Sequence, residues 1–423
     1  MLVVTTGLSV SVALVALQCG SMETRDGQQN GFCSRTFPVI WSKFIHSMTE
    51  SYLSKSTFVP QSVSKSSECS DMVKAMEPLY GCDMPAGRAA RPPTFLPKVE
   101  TLVAIGDVHG DIAKAKRAFR LAGLIDEAGS WVGGKSVAVQ VGDILDRGNN
   151  EVELYYWLEN LKKQAHQAGG AVHVLNGNHE TMNVASQFRY ATKEGVKDFS
   201  RWARIHATAV ALKSKCMACS ENTIKAAKMY MDASKSDDAA ARFRALQPGG
   251  EFSRRFLAPN PVILAIGSTV FVHGGLLPHH VEYGIEKINN ETQDWILHGD
   301  IKDKPPFLSG RRAVVWARDY SHENEEYCDC NSLKDALTKV PGAKRMVVGH
   351  TIQGAGINSA CNEHVYRVDV GLSRGCGDGI PEVLVIQNDT VVTKLSETKH
   401  EESSAERRFH DLEEKAHKTL HVS

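Results

Sequence analysis

Leu102-Val103-Ala104-Ile105-Gly106-Asp107-Val108-His109-Gly110-Asp111 runs from an apolar stretch straight into glycine, carboxylate and imidazole. The apolar half has the length and character of a strand buried on both faces. Glycine at its end lets the backbone turn sharply and aim polar side chains inward. The arrangement recurs. Val137-Ala138-Val139-Gln140-Val141 leads into Gly142-Asp143-Ile144-Leu145-Asp146-Arg147-Gly148, and Ala171-Val172-His173-Val174-Leu175 precedes Gly177-Asn178-His179-Glu180. Val270-Phe271-Val272 runs into His273-Gly274-Gly275, and Met346-Val347-Val348 into Gly349-His350-Thr351. Apolar runs over residues 262–266 and 365–370 predict further strands.

Between the first two runs, Ile112, Ala115, Phe119 and Ala122 share one helical face, with Lys and Arg opposite. A second amphipathic stretch over residues 152–168 separates the second and third. Strand and helix in alternation predict an α/β core whose ligands lie at the carboxyl ends of the strands. Residues 181–260 read as a helical insertion after a site-forming loop, either a lid or specificity wall, or a subdomain that only packs.

The chain has 423 residues, 42% of them hydrophobic and 23% charged, with 49 Lys plus Arg against 49 Asp plus Glu. That suits a globular protein of two or three domains and excludes a broadly basic nucleic-acid binder, which needs a net positive field. Residues 1–20 carry no charged side chain and read as a signal-like leader, without a basic n-region or an A-x-A cleavage site. This predicts secretory or organellar targeting, a cytosolic chain being the alternative, and membrane association only through the leader if it is retained. Residues 21–98 form an extension and linker ending in Arg91-Pro92-Pro93-Thr94-Phe95-Leu96-Pro97, residues 99–395 the catalytic domain, and residues 396–423 a charged tail. Sequons at Asn290 and Asn388 matter only on a secretory route.

Ten cysteines are too few to be the main source of stability in a chain this long. Cys216 with Cys219, Cys328 with Cys330, and Cys361 and Cys376 leave zinc binding, disulfide chemistry or unpaired thiols open. Gly129-Ser130-Trp131-Val132-Gly133-Gly134-Lys135-Ser136 satisfies the Walker A pattern but follows a predicted helix and leads into a strand. A phosphate-cradling loop has the opposite context.

The five strand-end clusters offer oxygen and nitrogen ligands without thiolate, a set suited to Mn, Fe or Zn in a water-accessible site. Together, GDxHG, GDxxDRG, GNHE, HGG and GHT resemble the phosphoprotein phosphatases among the metallophosphoesterases, over residues 101–386. The runs GNHETMN, FVHGGLLPHHVEYG, VVGHTIQGAGIN and VDVGLSRGCGDG are most similar to the Shewanella-like protein phosphatases, as is Cys328-Asp329-Cys330 with Cys361 and Cys376. The resemblance implies an α/β calcineurin-like fold, a central β-sandwich flanked by helices, with a helical insertion after GNHE. It also implies two divalent or trivalent metal ions. Asp107 and His109 would hold the first, Asp143 would bridge both, and Asn178, His273 and His350 would hold the second. A hydroxide bridging the two ions would then attack phosphorus.

By the same resemblance, Arg147 and Arg318 bind the substrate phosphate together with Asn178. His179 is the general acid, oriented and kept cationic by Asp146. The implied activity is hydrolysis of phosphomonoesters on proteins, leaning to phosphotyrosine. A dinucleoside polyphosphate hydrolase on the same core is the alternative, and a silent phosphoprotein-binding scaffold would predict a broken ligand set, which this chain does not have. A purple acid phosphatase would carry Tyr in place of Asp146 and His in place of Ile352, and no His-Cys pair supports a thiol mechanism. His166, His173, His206, His279 and His280 stand apart from any cluster and read as surface or packing residues.

Overall fold

The strands fall into two mixed sheets whose apolar faces meet. In the computed structural model, which describes residues 90–216 and 221–397, one sheet is built on β2 (Thr101–Ile105), β3 (Val137–Gln140) and β4 (Ala171–Val174), paired in parallel. Strand β10 (Glu382–Gln387) joins it antiparallel to β2, and β11 (Val391–Ser396) closes its edge. The other sheet has the order β1 (Phe95–Leu96), β5 (Ile263–Ile266), β6 (Thr269–Val272), β7 (Arg345–Val348), β9 (Val365–Arg367), β8 (Asn358–Ala360). Composition alone assigns Phe95–Leu96 to the linker. It becomes an edge strand because Ala265 and Gly267 donate to the Thr94 and Leu96 carbonyls.

Alternation along each strand sends one set of side chains between the sheets. Leu102, Ala104, Val139 and Leu384 from one sheet pack with Leu264, Phe271, Val347 and Val368 from the other in a single buried cluster. Burying a side chain such as Phe271 fully contributes about 1.5–3 kcal/mol. Helices α1 (Ile112–Leu121) and α2 (Glu151–Gln167) connect β2 to β3 and β3 to β4. Asp111 caps α1 by accepting from the Lys114 amide at 3.2 Å, and Leu154, Tyr155, Leu158 and Leu161 form the buried face of α2. The Walker-like stretch is a loop between α1 and β3, in which Trp131 Nε1 donates to the Gly134 carbonyl. No helix begins after Ser136, so the phosphate-binding geometry is missing.

The GNHE residues open α3 (Asn178–Val184), and the insertion continues from it through α4 (Lys193–Cys216), α5 (Glu221–Ser236) and α6 (Asp238–Leu246) to a π-helical turn over Ser253–Leu257. Its middle, Arg201–Lys235, belongs to a compact unit separate from the rest. There Trp202 stacks on His206, and Tyr230 meets both rings edge-on. The flanking parts, up to Ser200 and from Ser236, belong to the unit that carries the sheets. The leader, most of the extension, Cys219 and most of the tail lie outside the described residues. Among the described residues no helix is long and apolar enough to cross a membrane.

Candidate active site and metal centre

Strands β2, β3, β4, β6 and β7 all deliver their carboxyl-terminal loops to one end of the sandwich. Glycines make the convergence possible. Gly142 has φ +102°, and a Cβ there would lie 2.7 Å from the Gly177 nitrogen. A Cβ on Gly177 would lie 2.2 Å from Asp143 Oδ1, so the loops after β3 and β4 touch at distances no side chain allows. Functional residues also take the left-handed region without being glycine: His109, Asp143, Asp146, Arg147 and His350 all have positive φ. Such conformations cost on the order of 1–3 kcal/mol each and persist where the surroundings over-determine them.

Glu180 is one source of that over-determination. Its carboxylate accepts from the backbone amides of Asp143, Ile144, Leu145 and Gly177, at 2.7–3.0 Å. The sequence reading quoted Glu180 within its motif and gave it no role. A carboxylate three residues beyond a strand-end glycine was the available signal, since that spacing reaches back to backbone amides.

The predicted ligands come together. Ligand atoms of Asp143, His273 and His350 lie within 4.8 Å of one another, and so do those of His109, Asp143 and His179. Asp143 belongs to both groups, as a bridging ligand must. His109 Nδ1 donates to the Leu145 carbonyl at 2.9 Å and His273 Nδ1 to the Val141 carbonyl at 3.0 Å. Burial keeps the His109 ring neutral, and its bond to the Leu145 carbonyl leaves Nε2 as a bare lone pair. His273 Nε2 faces Asn178 Oδ1 at 2.8 Å and Asp143 Oδ2 at 3.2 Å, so nitrogen, amide oxygen and carboxylate oxygen converge on one point. His350 Nε2 is buried without any hydrogen-bond partner. Convergent lone pairs and an orphaned imidazole nitrogen are what a pair of cations would satisfy.

Asp107 sits beside these groups, accepting from the His350 amide at 3.1 Å, with Oδ1 3.8 Å from His273 Nδ1. Burial and the carboxylates of Asp369 and Asp143 push Asp107 well above the usual carboxylate range. Asp369, which the sequence reading did not single out, is pushed up to about 6, chiefly by burial. Burial also pushes Asp143 upward, but the imidazoles of His273 and His179 outweigh it and hold its carboxyl well below the usual range.

The histidines divide by chemistry. Burial drives His109 down to about 4 and His350 well below its ordinary value, so both are neutral and able to ligate. For His179 burial acts the same way, yet Asp143 and Asp146 overcome it and raise the imidazole. Its Nδ1 is 2.6 Å from Asp146 Oδ2, and its Nε2 lies 3.8 Å from Asp143 Oδ2. Geometry alone would admit His179 as a ligand of the first metal. The carboxylate on Nδ1 and the raised basicity instead suit a proton donor, since sites that run acid chemistry push paired groups apart in this way.

Of the predicted phosphate-binding arginines, Arg147 is half-buried, its amide donates to the Tyr190 carbonyl at 2.9 Å, and its Nε is buried without a partner. Arg318 is exposed and donates to the His350 carbonyl at 3.1 Å and to Thr351 Oγ1 at 2.7 Å, which brings it to the loop carrying a metal ligand. Tyr190 was missed by the sequence reading. Its ring lies 5.1 Å from that of His179 and 4.9 Å from the Arg147 guanidinium. Among the described residues no cysteine belongs to the ligand groups. Cys330 and Cys361 form a disulfide, and Cys328 is a buried free thiol with Sγ 3.4 Å from the Tyr320 carbonyl.

Residues 101–354 match the family model of the calcineurin-like phosphoesterases. The chain is 45% identical to Shewanella-like protein phosphatase 2 of Arabidopsis thaliana over 306 residues, 71% of this chain and 78% of that one. It is 30% identical to Shewanella-like protein phosphatase 1 of Plasmodium berghei over 288 residues, 66% and 69% of the two chains. Among solved structures it shares the fold of a cold-active protein-tyrosine phosphatase from a psychrophilic Shewanella species, with TM-score 0.51 and 21% identity, covering 74% of this chain and 87% of that one. A β-sandwich whose strand ends gather two histidine and aspartate clusters, in a sequence this close to named relatives, places the chain among the calcineurin-like phosphoesterases, as a binuclear metal-dependent phosphatase of the Shewanella-like protein phosphatase family.

Proposed function

We propose that the chain hydrolyses phosphomonoesters on proteins and prefers phosphotyrosine. The observation that carries this reading is the neighbourhood of His179: an acid candidate, a phosphate-binding guanidinium and an aromatic ring within one cluster beside the ligand groups. Bound at Asp107, His109, Asp143, Asn178, His273 and His350, two cations would supply Lewis acidity and lower the pKa of water at the site. The chain's own groups do the rest. Arg147, with an uncommitted Nε, and Arg318 bind and orient the phosphoryl oxygens by charge-assisted hydrogen bonds. His179, held through Nδ1 by Asp146, gives its Nε2 proton to the leaving oxygen.

Tyr190 is 37% exposed, so one part of its ring remains open beside His179. An aryl leaving group would find an apolar wall there, which a serine or threonine side chain is too short to use. The fold relative from Shewanella is itself named a protein-tyrosine phosphatase. The Mn- or Fe-supplemented protein should turn over a phosphotyrosine peptide with a higher kcat/KM than the matching phosphothreonine peptide. Tyr190→Ala should narrow that ratio by roughly three- to tenfold, the effect of a stacking contact worth about 1 kcal/mol. Equal kcat/KM values for the two peptides in the parent protein would overturn the preference. Faster hydrolysis of a dinucleoside polyphosphate than of either peptide would overturn the protein-substrate reading altogether.

A further inference from the structure

Arg242 has the largest fully buried side chain in the described structure and lies on α6, 96 residues from Asp146 in sequence. Its guanidinium is shared among three side chains. Nη2 donates to Asp146 Oδ1 at 3.0 Å, Nη1 to Glu151 Oε2 at 2.5 Å, and Nε and Nη2 to Asn183 Oδ1 at 3.0 and 2.9 Å. The plane of the fork lies over Phe199, 4.7 Å from the ring centroid. Because arginine only donates, Asn183 must present its oxygen to Arg242. Its Nδ2 is thereby turned to Asp146 Oδ2, at 2.9 Å, and to the His179 carbonyl, at 2.9 Å.

Asp146 thus has every freedom removed. Oδ1 is held by Arg242 and Oδ2 by Asn183 and His179. Its backbone, at φ +70°, is tied by its own amide to Glu151 Oε1 at 2.7 Å. The side chains of Asp146, Glu151 and Arg242 are all 0% exposed. Without the guanidinium, two dehydrated carboxylates would repel each other, and Asp146 could turn away from the imidazole.

We propose that Arg242 is a positioning residue for the acid step: through Asp146 and Asn183 it fixes the imidazole of His179 in the orientation that protonates the leaving oxygen. This rests on His179 being the acid. In that step the oxygen of water forms its bond to phosphorus as the bond from phosphorus to the ester oxygen breaks. The electron pair left on the ester oxygen takes the proton from His179 Nε2, while the Nδ1 proton stays in its bond to Asp146. The water loses a proton to solvent and His179 regains one from solvent, leaving alcohol and phosphate.

The test compares a good leaving group, p-nitrophenyl phosphate, with a poor one, a phosphoserine peptide, in the Mn-loaded full chain. His179→Asn serves as the reference. It should lower kcat for the peptide by roughly a hundredfold or more, and for p-nitrophenyl phosphate at least tenfold less, as loss of a general acid does. Arg242→Met should reproduce that asymmetry with bound Mn unchanged, and Arg242→Lys, which keeps the charge but loses the fork, should fall between it and the parent. Equal losses on both substrates in a folded Arg242→Lys would overturn the positioning role, because a merely structural defect is blind to the leaving group. Should Arg242→Met not fold, Arg242→Lys and Asn183→Leu decide by the same asymmetry. A His179→Asn variant with no asymmetry would overturn the acid assignment itself, a failure distinct from that of Arg242.

Discussion

The inter-sheet core and the strand-end site are built from the same strands and obey opposite rules. Val139 lies in a cluster of buried aliphatic and aromatic side chains. Four residues further along the same strand and its loop, Asp143 is equally buried among His109, His179, His273 and His350. The core has regular extended backbone, whereas the site has five functional residues at positive φ and imidazole, amide and carboxylate atoms crowded together. The lesson is one of support. A close-packed sandwich is stiff enough to hold strained loops and unneutralised ligands in place, and that pre-organisation is what a metal and a phosphoryl group then use.

If the two regions are this distinct, each can be damaged without the other. Asp143→Asn removes the carboxylate common to both ligand groups but keeps an oxygen able to accept from the His179 amide, a bond of 3.0 Å in the parent. Steady-state turnover of an aryl phosphate should fall on the order of ten-thousandfold, several kcal/mol of transition-state stabilisation, with a thermal midpoint no lower than that of the chelated parent. A collapse of the midpoint would mean that site and core are one cooperative structure. Phe271→Ala does the converse. It empties a fully buried position of the inter-sheet cluster and should lower stability by about 3–5 kcal/mol, read as a shift of the urea midpoint. Turnover per folded molecule should change less than about threefold, since Phe271 touches no reacting group; a larger loss would show that core packing tunes the site.

The smallest expected effect concerns pH. Asp369 is pushed up to about 6 and Asp107 well above its usual value, so the metal-free site carries protons that a cation must displace. The affinity for Mn, and the stability that bound Mn confers, is therefore present above about 6 and lost as pH falls through that value. Calorimetric titration of the chelated protein should show binding weakened roughly tenfold between pH 7 and 5.5, with protons released on binding. Asp369→Asn should flatten that dependence. An unchanged slope would remove Asp369 from the proton count.

Much of this was legible in the chain. Short apolar runs ending in glycine and a polar cluster marked β2, β3, β4, β6 and β7, and so placed Asp107, His109, Asp143, Asn178, His179, His273 and His350 at strand ends. Strands β1, β8, β10 and β11 were not read from the sequence, and the few residues of β1 and β8 acquire extended structure only by pairing. The roles of Tyr190 and Arg242 were invisible for a related reason, and that of Glu180 was signalled only by its spacing from Gly177. A carboxylate serving four backbone amides, a ring at the mouth of a site and an arginine reaching across 96 residues are defined by what they touch.

The sequence by itself determined the strand periodicity, the ligand inventory and the family, because residue type and spacing fix which groups can ligate and which runs can be buried. Tertiary structure alone decided which nitrogen of each histidine faces the site, why His179 is basic while His109 and His350 are not, and which distant arginine holds Asp146. Those properties depend on burial and on partners within about 3–4 Å, and such distances exist only after the chain has folded.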